Sequence, residues 1–158
     1  MIQRIQTLFL ALAFLAALLL FFFPLAGVYS DLHTYKLYVY SFKNMVPGEE
    51  SVFSFMTTLP LLVLNILTAG FSIVSIFLYK NRIQQLRYVR LGIFTDIVMI
   101  GLVFFVYARI VENNLGDSPN YLDEAGIYFP LIAVLFLILA NRFIIKDERL
   151  IRSIDRLR

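Results

Sequence analysis

The 158-residue sequence has no cysteine, which removes disulfides, thiolate nucleophiles and cysteine-held metals together. It has one histidine, His33, so a histidine metal cluster is excluded as well. Charge is scarce: Asp, Glu, Lys and Arg make up 16% and apolar residues 60%, against about 25% and roughly 45–50% in soluble domains. Mean hydropathy is +0.80. A chain this apolar, with 16 phenylalanines, would aggregate if unfolded in water, which excludes disorder and leaves little room for a soluble enzyme. Paired acids within the apolar runs, glycine-rich phosphate loops and the HExxH and GxSxG patterns are all missing. A non-enzymatic integral membrane protein without a cofactor is expected. The net charge of +3 does not point to nucleic acid, because the bases are not pooled on one soluble face.

A helix needs about 20 apolar residues to cross the bilayer core. Segments 5–27, 55–79, 91–111 and 127–145 meet that length and are expected to be helical, since unpaired backbone in hydrocarbon is prohibitively costly. The first could be taken for a cleaved leader, with Arg4 ahead of it and small residues at 25–27. Its unbroken apolar stretch, 8–23, exceeds the roughly 7–15 residues of a leader's core, so a retained helix is expected. The bases set the orientation. Eleven (Arg4, Lys80, Arg82, Arg87, Arg90, Arg142, Lys146, Arg149, Arg152, Arg156, Arg158) fall on one side and three (Lys36, Lys43, Arg109) on the other. Both termini are therefore expected in the cytoplasm. The fold class is an all-α, four-helix antiparallel transmembrane bundle forming a single domain over 1–158, with outer loops 28–54 and 112–126 and a cytoplasmic tail 146–158.

The first outer loop is rich in aromatic and β-branched residues from His33 to Phe42, which favours extended structure. Pro47-Gly48 signals a turn, and 51–55 is expected to return as the second strand of a short β-hairpin. Tyr29, Tyr35, Tyr38 and Tyr40 fit either a partner-binding element or an aromatic belt at the membrane boundary. In the second outer loop, Asp123 and Glu124 precede the fourth span, where carboxylates favour the helix dipole. The tail carries Leu150, Ile151, Ile154 and Leu157 as one apolar stripe. Arg149, Arg152, Arg156 and Arg158 lie on its polar surface beside Asp147, Glu148 and Asp155, suited to anionic lipid heads or to a partner domain.

Ionisable groups inside a membrane are expensive and so are functional candidates. Asp96 is the acid within a span. An ion pair with Arg142 (or Arg4), with Asn141 and Thr95 as hydrogen-bonding support near Arg142, would fix helix register; alternatively Asp96 carries a proton or ion. Asn65 is expected to hydrogen-bond across helices, and Ala69, Gly70, Gly92 and Gly101 to permit close helix approach. Pro60 and Pro130 lie early in their helices, where proline is tolerated.

The opening Met1-Ile2-Gln3-Arg4-Ile5-Gln6-Thr7 and the closing run through Asn141-Arg142-Phe143-Ile144-Ile145-Lys146-Asp147-Glu148-Arg149 resemble a bacterial family of unknown function, numbered 4293. That resemblance implies four spans of an inner membrane, mainly in Bacteroidota, with the outer loops in the periplasm; it implies no activity. The loop pattern also resembles the claudin-like four-span arrangement, without that group's Trp and Cys signature. The expected role is a small structural or accessory subunit, with membrane lipids and a membrane-protein partner or a second copy of itself as contacts. The alternative is an oligomeric channel or small transporter using Asp96, and a third reading is an enzyme acting on lipid.

Overall fold

The computed structural model describes residues 3–29, 34–46, 53–115 and 120–155. Helix α1 (Gln3–Leu19) opens the chain. Its last turn tightens, with the Phe21 N–H donating to the Leu18 carbonyl (3.1 Å) and the Phe22 N–H to that of Leu19 (2.9 Å). Pro24, which has no N–H, follows and ends the helical course. Helicity therefore stops at Leu19 and not at the expected residue 27. Ala26 and Gly27 belong instead to strand β1 (Ala26–Tyr29), followed by β2 (Thr34–Leu37) and β3 (Phe42–Asn44).

Helix α2 (Phe55–Phe77) is capped by Ser54, whose hydroxyl accepts from the Met56 N–H. A 3-10 turn (Leu78–Lys80) leads to Asn81, which caps α3 (Arg82–Gly101) by accepting from the Gln84 N–H. So short a connection makes α2 and α3 antiparallel neighbours. Helix α3 runs into a π-helical stretch (Leu102–Tyr107) and then α4 (Ala108–Leu115). Strand β4 (Asn120–Asp123), a 3-10 turn (Ala125–Ile127) and the 28-residue α5 (Tyr128–Asp155) complete the chain.

The protein is mostly helical. Three helical stretches, Phe55–Lys80, Arg82–Asn113 and Ala125–Leu150, are long and apolar enough to cross a membrane, whereas α1 is a shorter apolar helix. The helices close a ring in which α1 packs on α2 and α5, and α3 on the other sides of the same two. Leu10, Ala13, Val89, Leu137, Ala140 and Ile144 fill the interior toward one end. Among the small residues, Gly92 lies against the side chains of Leu137 and Phe71, while Gly70 and Gly101 face open space and mediate no close approach.

At the other end both long connections join in one antiparallel sheet of order β3-β2-β1-β4. Ala26 pairs with Leu37 on one side and Asp123 on the other. Strand alternation turns Val28, Tyr35, Leu37 and Phe42 inward, where they join Leu25, Leu61, Met99, Val103 and Tyr107 in a second core. The expected hairpin partner at 51–55 is replaced by β3, because the turn falls at 38–41, where the Tyr38 N–H donates to the Ser41 carbonyl (2.8 Å). Phe53 stacks on Phe42 and meets Tyr35 edge-on, at 4.3 and 5.6 Å between ring centres. Tyr35 is thus a core residue and not part of a belt, while Tyr38 and Tyr40 flank the ammonium of Lys43 at 5.0 and 5.4 Å. His33, Pro47, Gly48 and residues 51–52 lie outside the described residues.

Candidate functional site

Buried polar side chains form a layer through the helix bundle. Asn65, on α2, is 1% exposed, and its amide donates to the Ala17 carbonyl at 3.1 Å. That carbonyl lies in the last turn of α1, where the regular N–H partner of Phe21 has moved to Leu18. The side chain therefore satisfies a helix-end group that would otherwise be left without a donor. One turn further along α2, Thr68 meets Thr95 of α3 with hydroxyl oxygens 2.9 Å apart. Thr95 also donates to the Gly92 carbonyl at 3.0 Å. A hydroxyl has one proton, so Thr68 is the donor between the two. Ser72 donates to the Thr68 carbonyl (2.8 Å), and Gln85 of α3 to that of Ser75 in α2 (2.9 Å).

Asp96 belongs to this layer by position but not by bonding. It is 1% exposed, and neither carboxylate oxygen has a hydrogen-bond partner among the described residues. The expected ion pair with Arg142 does not form. Gly92 of α3 and Leu137 of α5 are in contact and so share a level. The two helices run in opposite directions, with Asp96 four residues beyond that level and Arg142 five residues beyond it the other way. At about 1.5 Å per residue this separates them by about 13 Å along the bundle. Thr95 is bonded elsewhere, and the Asn141 side-chain oxygen has no partner among the described residues.

Arg142 instead lies exposed on the outside of α5. With Lys146 and Arg149, at spacings of four and three, it shares one helix face, and the three line a surface concavity with Ile145 and Leu150. Arg152 lies on α5 with its side chain outside the description; Arg156 and Arg158 are outside the described residues. Across the helix, Asp147 is buried rather than on the polar surface, and accepts from the Gln6 amide of α1, which also donates to the Phe143 carbonyl at 3.3 Å. Neither Gln6 nor Asp147 stood out in the sequence as an intrabundle pair. Their signal was a polar residue on an otherwise apolar face of α1. Three or more metal-ligating side chains do not gather anywhere among the described residues.

At the sheet end, Glu124 stands at the N-terminal cap position of the 3-10 turn Ala125–Ile127 but makes no side-chain cap bond. Its carboxylate pairs with Lys36 of β2 at 3.0 Å. The expected dipole-capping role gives way to a tie between the two loops. The side chain of Asp123 lies outside the description.

A family model described as a domain of unknown function, DUF4293, matches residues 2–157. The chain belongs to that family. The DUF4293 assignment covers the bundle and the sheet together, and agrees with the resemblance carried by the two ends of the sequence. No curated protein matches the chain.

Proposed function

We propose that this DUF4293 protein is a four-span component of a bacterial inner membrane that acts without catalysis, as a small structural or accessory subunit packed against a larger membrane assembly. The observation that carries this reading is where the buried polar groups are engaged. Asn65, Thr68, Thr95, Ser72 and Gln85 bond helix to helix or to backbone, as expected of a bundle built to hold its shape. Large apolar side chains such as Phe22, Phe77 and Phe105, each about three-quarters exposed, project outward and suit lipid or a neighbouring membrane helix. In this reading α1 is the first span. Its 17 residues extend about 26 Å, at the short end of what a hydrocarbon core of about 30 Å accepts. The asymmetry of basic residues sets both termini in the cytoplasm.

One observation favours a second reading. Asp96 is buried with both oxygens unpartnered among the described residues, as a proton- or ion-carrying acid inside a membrane would be. Mild-detergent extraction followed by native mass spectrometry tests the first reading: a larger partner at fixed stoichiometry is expected. A partner-free homo-oligomer whose proton flux in liposomes disappears in Asp96→Asn would overturn it in favour of the second.

A further inference from the structure

The sheet does not sit flush on the helices. Between its inner face (Ala26, Val28, Leu37) and the π-helical stretch (Val103, Phe104, Tyr107) lies a cavity of about 230 Å³. Among the side chains that line it, Tyr107 alone carries a polar group, and its hydroxyl is already engaged in donating to the Thr57 carbonyl. An ordered water needs two to four polar partners, and this lining is mostly apolar, so the space suits an apolar occupant better than water. Left empty, its lining would lose dispersion contacts on one side. The volume is below the roughly 300–1,000 Å³ of pockets that enclose drug-sized molecules, so it takes only part of a slender apolar chain.

Two further features bear on the occupant. The wall is made by the π-helical stretch, a rare widening of the helix that recurs at functional sites. Phe104, on that wall, is half exposed, and Phe105 beside it is 76% exposed. The cavity therefore reaches the apolar outer surface of a stretch long enough to cross a membrane. What abuts such a surface in a bilayer is lipid.

We propose that this cavity binds the end of one acyl chain of a phospholipid, which enters beside Phe104 and lies between the sheet and the π-helical turn. The inference rests on the membrane reading above for the presence of lipid, and on nothing about partners.

The test uses the intact protein in bilayer nanodiscs containing a phosphatidylcholine with a photoactivatable diazirine in its acyl chain, with cross-links mapped by mass spectrometry. Val28 and Leu37 are 1% and 2% exposed, so lipid merely surrounding the protein does not reach them. Cross-links at Val28 or Leu37 are expected, and Ala108→Phe, which fills the cavity from α4, is expected to reduce them at least tenfold. Labelling confined to exposed positions such as Phe22, Phe77 and Phe105, or equal labelling of Val28 and Leu37 in Ala108→Phe, overturns the proposal. Absence of cross-links anywhere would instead defeat the membrane reading beneath it. The wild-type map decides the question even if the variant fails to fold.

Discussion

The Lys36 ammonium lies 3.0 Å from the Glu124 carboxylate, and the two meet over Gly27. Gly27 pairs with Lys36 in the sheet, and a Cβ added to it would come within 3.3 Å of Glu124 Oε1. A residue without a side chain in the central strand thus leaves room for a bridge between strands drawn from different loops. Both partners are about a quarter exposed, so the bridge contributes on the order of 0.5 kcal/mol. The hydrogen bond to Glu124 holds the Lys36 pKa above its ordinary 10.5. Because the folded value is raised, the contribution is complete below 10.5 and fades as pH climbs through the raised value. Lys36→Met should melt slightly below wild type at neutral pH, and the gap should close in strongly alkaline buffer. A gap that is unchanged there would refute the assignment.

Gly126 is indispensable for a different reason. Its N–H donates to the Pro24 carbonyl at 2.9 Å, and a Cβ at this position would lie 2.3 Å from that same oxygen and 2.6 Å from its carbon. Both are backbone atoms and cannot swing aside. Gly126→Ala must push the entrance of α5 away from the segment after α1, at a cost of about 2–3 kcal/mol. Thermal unfolding in detergent should register a clear drop; wild-type stability in this variant would mean that the two backbones separate freely.

Asn65→Leu removes the donor that serves the Ala17 carbonyl. Interhelical hydrogen bonds in lipid contribute about 1 kcal/mol, and here the carbonyl left behind is also without a partner. The loss should be local to α1, seen as faster hydrogen exchange over residues 14–19 with α3 and α5 unaffected. Uniform acceleration across all helices would indicate instead that Asn65 supports the whole bundle.

The three long apolar helices were legible because apolar runs of this length have one physical solution in a membrane. The end of α1 was not, because the apolar run continues through Phe21, Phe22 and Phe23 while the backbone has already turned, and only Pro24 gives notice. Strand β4 was hidden for another reason. Asn120-Tyr121-Leu122-Asp123 has no strand-like run of its own, and its partner β1 lies some 97 positions earlier, Ala26 facing Asp123. Such pairing is decided by tertiary contact, which local pattern does not carry. The interior layer was half legible. Asn65 announced itself as a polar residue in an apolar span, but the level at which α3 meets α5 depends on which residues touch, and that left Asp96 and Arg142 wrongly matched.

Asp96 and Arg142 therefore supply the sharpest test of the bundle's register. In a buried ion pair, removing one partner strands the other charge and costs about 3–5 kcal/mol, and the two substitutions are strongly coupled. With the residues about 13 Å apart along the bundle, each should act alone. Arg142→Met, on the exposed face of α5, should change stability by less than about 0.5 kcal/mol. Asp96→Leu replaces a carboxyl that has no partner among the described residues by an apolar side chain of similar bulk, and should leave stability unchanged or raise it. The double variant should equal the sum of the two within about 0.5 kcal/mol, measured by reversible unfolding in mixed micelles. A coupling of 2 kcal/mol or more would require α3 and α5 to slide by roughly two helical turns, which the contact between Gly92 and Leu137 forbids.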